Sequence, residues 1–205
     1  PPLGPPGPDA PPAAREATVD SVMTIDEARE LMESWTESPA LRVHMESVAT
    51  CMRAYAERLA PEDADRWVVC GLLHDFDYEK HPTTEEHPFV GVKELERRGV
   101  DDDIRTAILG HASYSGVPRQ SAMAKALFAV DELAGFIVAC CKVRPDGIIS
   151  LEPKSVKKKL KDKSFAAAVS RDDIAQGAEE LGVELAEHIQ TCIDAMRAAR
   201  ERLGV

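Results

Sequence analysis

The sequence has few features that would place the protein in a membrane or an oxidising compartment. No apolar run approaches the roughly 20 residues needed to span a bilayer, and no segment has the pattern of a secretory signal. The five cysteines form no CxxC pair, and most of them lie in apolar helical patterns. We therefore expect reduced thiols in the core of a cytoplasmic protein.

Excess positive charge and strand patterns are also missing. The formal net charge is -11, which argues against general binding to nucleic acid or to anionic membranes. No window shows a convincing alternation of apolar and polar residues, which is the pattern of a half-buried strand. Glycine and proline are sparse after the first stretch. The sequence therefore predicts an all-α protein with helices of ordinary length and short connections.

Proline is concentrated at one end of the sequence, where seven prolines occur in the first twelve residues. Such a composition cannot build a core, so residues 1–22 are predicted to be a disordered or polyproline-like leader. Residues 23–205 are predicted to form a single domain. Met23 is a candidate natural start, and the leader would then be an upstream extension.

Capping residues and prolines mark where helices begin. A polar segment from Tyr78 to Pro88 contains two His-Pro dipeptides and is predicted to be a loop. Residues 183–203 are predicted to form one last helix. The other predicted starts are, in chain order, Thr24–Glu27 as a capping box, Ser38–Pro39, Pro61, Asp101–Asp103, Ser121 and Ser170–Asp173.

The pair His74-Asp75 ends an apolar stretch that begins near Trp67. Adjacent residues at a helix end can turn toward one point as the backbone leaves helical geometry, which makes the pair a candidate corner of a metal site. A helix cap beside a core histidine has the same appearance. The pair alone does not separate the two interpretations.

Other polar residues fall on the same inward-facing stripes. Burying several imidazoles and carboxylates separately is costly, because each needs its own partner, and convergence on a metal ion removes that cost. Imidazole and carboxylate without thiolate favour Fe or Mn, with Zn, Co, Ni and Mg as alternatives. The residues concerned are His44, His74, Asp75, His111 and Asp131, and His87 on the polar loop is a further candidate ligand.

The order of His44, His74-Asp75 and Asp131 resembles the H…HD…D signature of the HD-domain superfamily. The stretch from residue 23 to 163 resembles the bacterial group described as predicted HD-superfamily hydrolases. His87 and His111 resemble the extra histidines of members that hold two metals. The resemblance implies a helical bundle with a metal site at its centre.

The resemblance also implies roles for these residues. His44, His74, Asp75 and Asp131 would bind one ion, and Asp75 would bridge to a second ion held by His87 and His111. Catalysis is then expected to depend on Asp75 and His111. In most of the superfamily the reaction is hydrolysis of a phosphate ester, so we expect a small phosphorylated substrate, with a nucleotide as one candidate, and two divalent metal ions as cofactor.

Two other functions remain open at this point. A minority of two-metal HD proteins use a mixed-valent di-iron centre as an oxygenase, with the same ligand types. An HD module can also bind metal and ligand without turnover. We further expect no stable binding of nucleic acid and no membrane association, and the sequence leaves a homodimer open.

Several residues near the motif are candidates for other roles. Lys80 and Arg119 lie on predicted loops and are candidate phosphate contacts, and Arg119 has a surface arginine as its alternative. Six lysines lie between residues 154 and 163; Lys157 and Lys158 are candidate substrate contacts there, unless the block is a solvated face. Asp77 and Tyr78 are candidates for orienting ligands. His81 competes with His87, which we prefer because Gly91 follows it at the offset seen in two-metal families.

Overall fold

The computed structural model describes residues 22–205, so the predicted leader lies outside the described residues except for Val22. Within that range all regular structure is helical, which confirms the predicted all-α class. No helix in residues 22–205 is both long and apolar enough to cross a bilayer. The helices are α1 (Ile25–Trp35), α2 (Pro39–Leu59), α3 (Ala64–Leu73), α4 (Phe89–Arg97), α5 (Asp102–His111), α6 (Ala122–Lys142), α7 (Pro153–Leu160), α8 (Arg171–Leu181), α9 (Leu185–Ala198) and α10 (Arg200–Leu203).

Two long helices, α2 and α6, pack against each other at the centre of the bundle. Helices α3 and α9 pack on α2, whereas α5 and α8 pack on α6. The core between them is apolar, and side chains such as Val48, Met52, Leu72, Leu127 and Phe136 are fully buried. This arrangement brings the middle of α2, the end of α3 and the middle of α6 together.

Two glycines allow helices to approach unusually closely. A Cβ atom on Gly71 would lie 2.6 Å from the Cα atom of Ala49, and a Cβ on Gly177 would lie 2.6 Å from the Cα of Ala129. Side chains at these two positions would force the helices apart. The first contact holds α3 against α2, and the second holds α8 against α6, so both fix elements that surround the site.

Four predicted capping residues cap the helices that follow them, α1, α2, α6 and α8. Each hydroxyl accepts a hydrogen bond from a backbone amide in the first turn of its helix, which satisfies one of the unpaired amides there. These bonds join Thr24 to Glu27, Ser38 to Leu41, Ser121 to Ala124 and Ser170 to Asp173. The five cysteines are buried and free, as predicted.

Three details differ from the prediction. The last helix is interrupted at Ala199, whose amide bonds to the carbonyls of both Ala195 and Met196, so α9 ends and the short α10 follows. Pro61 begins a 3₁₀ turn that leads into α3. Asp101 precedes α5, but its carboxylate makes no cap. It lies 3.0 Å from the guanidinium of Arg66 instead.

Candidate metal centre

The six predicted metal ligands come from five parts of the chain, and all of them except the fully buried His74 line one cavity. Three of them stand at helix ends, where the backbone is free to turn the side chain inward. His44 lies in α2, His74 and Asp75 directly follow α3, His87 shortly precedes α4, His111 is the last residue of α5, and Asp131 lies in the middle of α6.

The first group of candidate ligands consists of His44, His74 and Asp131. The Nε2 atoms of the two histidines are 3.2 Å apart. Asp131 Oδ1 lies 3.0 Å from His44 Nε2 and 3.4 Å from His74 Nε2. Three potential ligand atoms therefore face one small space.

The second group consists of Asp75, His87 and His111. The Nε2 atoms of His87 and His111 are 3.3 Å apart, and each lies 3.3 Å from Asp75 Oδ1. The sequence favoured His87 over His81 as a ligand, and in the structure His87 belongs to this group. His81 instead pairs with Glu86, with 3.1 Å between its Nδ1 and the carboxylate.

The carboxylate of Asp75 stands between the two groups. Its Oδ1 atom belongs to the second group, while its Oδ2 atom lies 3.7 Å from His44 Nε2 and 3.6 Å from His74 Nε2. One carboxylate oxygen thus faces each group. This is the position of a bridging carboxylate.

The imidazole rings are oriented by bonds on their other nitrogens. The Nδ1 atom of His74 donates to the carbonyl of Gly71 at 2.8 Å, and that of His111 donates to the carbonyl of Ile108. His87 donates from Nδ1 to Asp77 Oδ1 at 2.7 Å. Because a proton sits on each of these Nδ1 atoms, the neutral rings present an Nε2 lone pair to the cavity, as metal ligation requires.

The spacing of these atoms fits metal ions. Nitrogen or oxygen ligands about 2.1 Å from a common ion lie about 3.0–3.4 Å from one another in tetrahedral or octahedral geometry. The observed separations within the first group are 3.0, 3.2 and 3.4 Å, and those within the second are 3.3 Å. The residues present therefore fit divalent ions, and the absence of thiolate favours the harder transition metals.

Charges in the cavity are strongly coupled. Burial by itself would lower the pKa of His74, but the carboxylates of Asp75 and Asp131 outweigh it and raise that pKa to about 9. Asp75 and Asp77 likewise raise the pKa of His87 to about 9 against the opposing effect of burial. The pKa values of Asp75 and Asp131 are lowered, since the neighbouring imidazoles outweigh the burial of these carboxylates.

These pKa values predict that metal affinity rises with pH. In the metal-free protein His74 and His87 keep their protons up to a pH of about 9, so an incoming ion must displace them. Below a pH of about 9, the apparent metal affinity should rise about tenfold per pH unit for each proton that the ion displaces. Chelator competition at pH 6, 7 and 8 should show apparent affinity rising at each step. An affinity that stays constant from pH 6 to 8 would contradict this protonation scheme.

The stability of the metal-free protein should change in the opposite direction. A histidine whose pKa is raised on folding stabilises the fold fully below its ordinary value of 6.5, and this contribution disappears as the pH rises through about 9. The extra protons on His74 and His87 and the bound metal ions are thus alternative sources of positive charge beside the same carboxylates.

The cavity has a volume of about 470 Å³ and two walls besides the ligands. One wall carries Glu132 and Asp173, from α6 and α8. The pKa of Glu132 is raised to about 7, mainly by burial and then by Asp131, and its carboxylate accepts a bond from the amide of Ser170. The other wall carries Tyr78 and Tyr114, two of the exposed large side chains of the protein.

Sequence reasoning missed Glu132, Asp173 and Tyr114 as cavity residues. Glu132 directly follows the ligand Asp131, and that adjacency was the available signal. The sequence assigned Asp173 only to the start of α8. Asp173 is distant from the motif in sequence, and sequence alone does not show that α6 and α8 pack together. Tyr114 donates from its hydroxyl to the carbonyl of His87 at 2.9 Å, a contact no local pattern predicts.

The four predicted substrate contacts do not line this cavity. Lys80 lies 5.1 Å above the Trp35 ring and reaches the carbonyl of Ser34. Lys157 and Lys158 are exposed on α7. For these three residues a direct contact with a substrate at the metal centre has no support from their placement.

Arg119 is also held away from the cavity. Its guanidinium donates two bonds of 2.7 Å to Glu180 and one of 2.8 Å to the carbonyl of Gly110. Its guanidinium carbon lies 3.7 Å from the centre of the Phe128 ring, and Phe128 lines the cavity. Arg119 therefore supports the cavity wall, and its predicted contact with a phosphate is not supported.

His188 is a further histidine outside the motif, and it is fully buried. Its Nε2 donates to the carbonyl of Ala129 at 2.8 Å, and its Nδ1 lies 2.6 Å from the hydroxyl of Tyr55. Burial lowers its pKa. The residue ties α9 to α2 and α6 outside the metal centre.

Fold and site together define a helical protein with an internal cluster of imidazoles and carboxylates that fits metal ions. A comparison with family models matches residues 42–135 to the family described as HD domain. Residues 42–135 therefore form an HD domain, a domain found in many metal-dependent hydrolases. No curated protein and no solved structure gave a significant match.

Proposed function

We propose that the protein is a two-metal phosphohydrolase that acts on a small phosphate ester. The observation that carries this proposal is the position of Asp75. One of its oxygens faces His44 and His74, and the other lies 3.3 Å from both His87 and His111. A carboxylate shared in this way is what two adjacent ions require. In the proposal His44, His74, Asp75 and Asp131 hold one ion, and Asp75, His87 and His111 hold the other.

When bound, divalent ions supply an activated water nucleophile and positive charge for the phosphoryl oxygens. The protein supplies the arrangement. Asp77 holds the ring of His87, while the carbonyls of Gly71 and Ile108 hold those of His74 and His111. Because the rings are fixed before a substrate arrives, little reorganisation is needed during the reaction.

The charges of the cavity support a metal-dependent mode of substrate binding. Four carboxylates line it, on Asp75, Asp131, Glu132 and Asp173, and its described lining includes neither lysine nor arginine. An anionic phosphate would be repelled by these side chains alone. Substrate binding, and not only turnover, should therefore depend on the ions. The volume of about 470 Å³ suits a small metabolite rather than a polymer.

The test is a phosphatase screen of protein reconstituted separately with Fe, Mn, Zn, Co, Ni or Mg. Nucleotides and sugar phosphates should release inorganic phosphate with at least one metal, and chelation should abolish release. Oxygen uptake is followed in parallel with the iron-loaded protein. Oxygen consumption without phosphate release would replace the proposal by an oxygenase. Two bound ions without any turnover would replace it by a metal-binding module.

A further inference from the structure

Two residues of the lysine block, Lys158 and Lys159, line a second cavity. This cavity has a volume of about 340 Å³ and lies between the end of α6 and α7. Its polar lining includes three cationic side chains, Arg144, Lys158 and Lys159, and one carboxylate, Asp162. In a chain whose net charge is -11, such a concentration of positive charge needs an explanation.

The cationic groups of this cavity are incompletely paired within the described part of the chain. Lys158 forms no ion pair there, and the ammonium of Lys159 lies 4.4 Å from the centre of the Phe165 ring. Arg144 forms an ion pair with Asp146 at 3.6 Å and donates from a terminal nitrogen to Ser150 Oγ, while its buried Nε atom has no hydrogen-bond partner. Because that Nε atom is buried, a ligand in the cavity would meet the exposed part of the Arg144 side chain together with the two ammonium groups.

The remaining lining is mostly apolar. Cys140, Val143 and Leu151 contribute to it, and Ser155 adds a hydroxyl. An apolar surface beside an arginine fork and two ammonium groups matches a ligand with one phosphate and one less polar part. A long polyanion or a membrane surface fits less well, because the rest of the molecule is acidic and would repel it.

The second cavity is separate from the metal centre. None of its lining residues lines the metal cavity. Cys140 follows Asp131 by nine residues on the same helix, which corresponds to about 14 Å along the axis. A ligand here would not reach the candidate metal ligands.

We infer that the cavity between α6 and α7 binds a small phosphorylated molecule, held by Arg144, Lys158 and Lys159. This inference does not rest on the proposed hydrolase activity. The phosphate lies among the three cationic groups, and the less polar part lies against Val143 and Leu151.

The test uses inorganic phosphate, ribose 5-phosphate and adenosine 5′-monophosphate as probes in calorimetric titrations of the metal-loaded protein. Each titration with the two esters is repeated in the Asp75→Asn background, where they should not be hydrolysed at a significant rate. Adenosine is the uncharged comparison. The double variant Lys158→Gln/Lys159→Gln removes two charges from the cavity lining. Its matched control, Lys157→Gln/Lys161→Gln, removes two charges from the same region of the chain but from residues outside that lining. Asp75→Asn identifies any binding that occurs through the metal centre.

At least one phosphorylated probe should bind to the unmodified protein, to the control variant and to Asp75→Asn with similar affinity. The Lys158→Gln/Lys159→Gln variant should bind it at least about tenfold more weakly, since both groups are charge-assisted donors. Adenosine has no phosphate, so the unmodified protein should bind it no more tightly than the Lys158→Gln/Lys159→Gln variant does. Lys158→Glu, which leaves the contact between Lys159 and Phe165 in place, should weaken the phosphorylated probe similarly if the variant protein is folded.

Four results would overturn the inference. Equal weakening in both double variants would mean general charge attraction. Loss of binding in Asp75→Asn would place the ligand at the metal centre. No detectable binding of any probe would exclude the site. Binding of anionic lipid vesicles that depends on Lys158 and Lys159, without such a dependence for the probes, would assign the lysines to a membrane surface.

Discussion

Replacing Asp75 by asparagine should abolish nearly all turnover while leaving the fold intact. In the structure one oxygen of Asp75 lies 3.3 Å from His87 Nε2 and from His111 Nε2, and the other faces His44 and His74. Asparagine keeps the size of the side chain but removes its charge and one of its oxygens. Two ions held on either side would then repel each other with less compensation, so at least one should bind more weakly.

The loss of activity should be large. Removing a group that only orients a metal ligand typically costs ~10–100-fold in metal affinity or activity. A residue placed to contact both ions should cost at least the upper end of that range, about 100-fold. Hydrolysis rate, metal content and helical circular dichroism are measured on the same preparation. Helicity should persist, because the buried stripes around Val48, Leu72 and Leu127 are untouched.

Asp173→Asn is the matched control for this experiment. Asp173 is a carboxylate of the same cavity, but its side chain makes no hydrogen bond to an imidazole among the described residues. Its replacement should leave metal content unchanged. If Asp75→Asn retained near-normal turnover and full metal loading, the pair His74-Asp75 would not be the centre of the site, and the proposed function would fail with it.

The candidate ligands could be predicted from sequence because each combines two signals. His44 and Asp131 lie on apolar stripes of long helices, where a polar residue needs a partner, and His74 and His111 stand at helix ends. The order of these residues along the chain added the family resemblance. Rigid helices then carry such side chains to positions that are determined by helix packing.

The positions of the candidate substrate contacts could not be predicted in this way. Lys80 and Arg119 lie on loops, and Lys157 and Lys158 are exposed on α7. Local sequence does not determine where such long side chains point. Arg119 shows this clearly, since its partner Glu180 follows 61 residues later and takes both ends of the guanidinium fork. No local pattern reveals such a partner.

Gly91 is a sequence signal whose physical cause becomes clear only in the structure. The sequence suggested His87 as a ligand partly because Gly91 follows it. In the structure the amide of Gly91 donates to Asp77 Oδ2 at 2.7 Å, and a Cβ at this position would lie 2.8 Å from Asp77 Cγ. The glycine therefore makes room for the carboxylate that orients His87. Because Asp77 contacts His87, a substitution of Asp77 distinguishes the two proposed metal positions in an experiment.

Asp77→Asn should release one ion before the other. Asp77 is buried and accepts two bonds, from His87 Nδ1 and from the amide of Gly91. Asparagine can accept only one of them through its single oxygen, and its NH₂ group would then face the other donor. His87 should lose its fixed orientation, while the contacts among His44, His74 and Asp131 do not involve Asp77.

The expected result is a ~10–100-fold loss of affinity at the position formed by Asp75, His87 and His111. Titration with a chelator, followed by elemental analysis at each step, should show Asp77→Asn passing through a state with one ion per chain at chelator concentrations that leave the unmodified protein with two. Asp173→Asn should follow the unmodified protein. Parallel loss of both ions from Asp77→Asn would mean that the two groups form one indivisible site. Unchanged resistance to the chelator would mean that the bond from His87 to Asp77 does not support metal binding, and the second metal position would lose its structural basis.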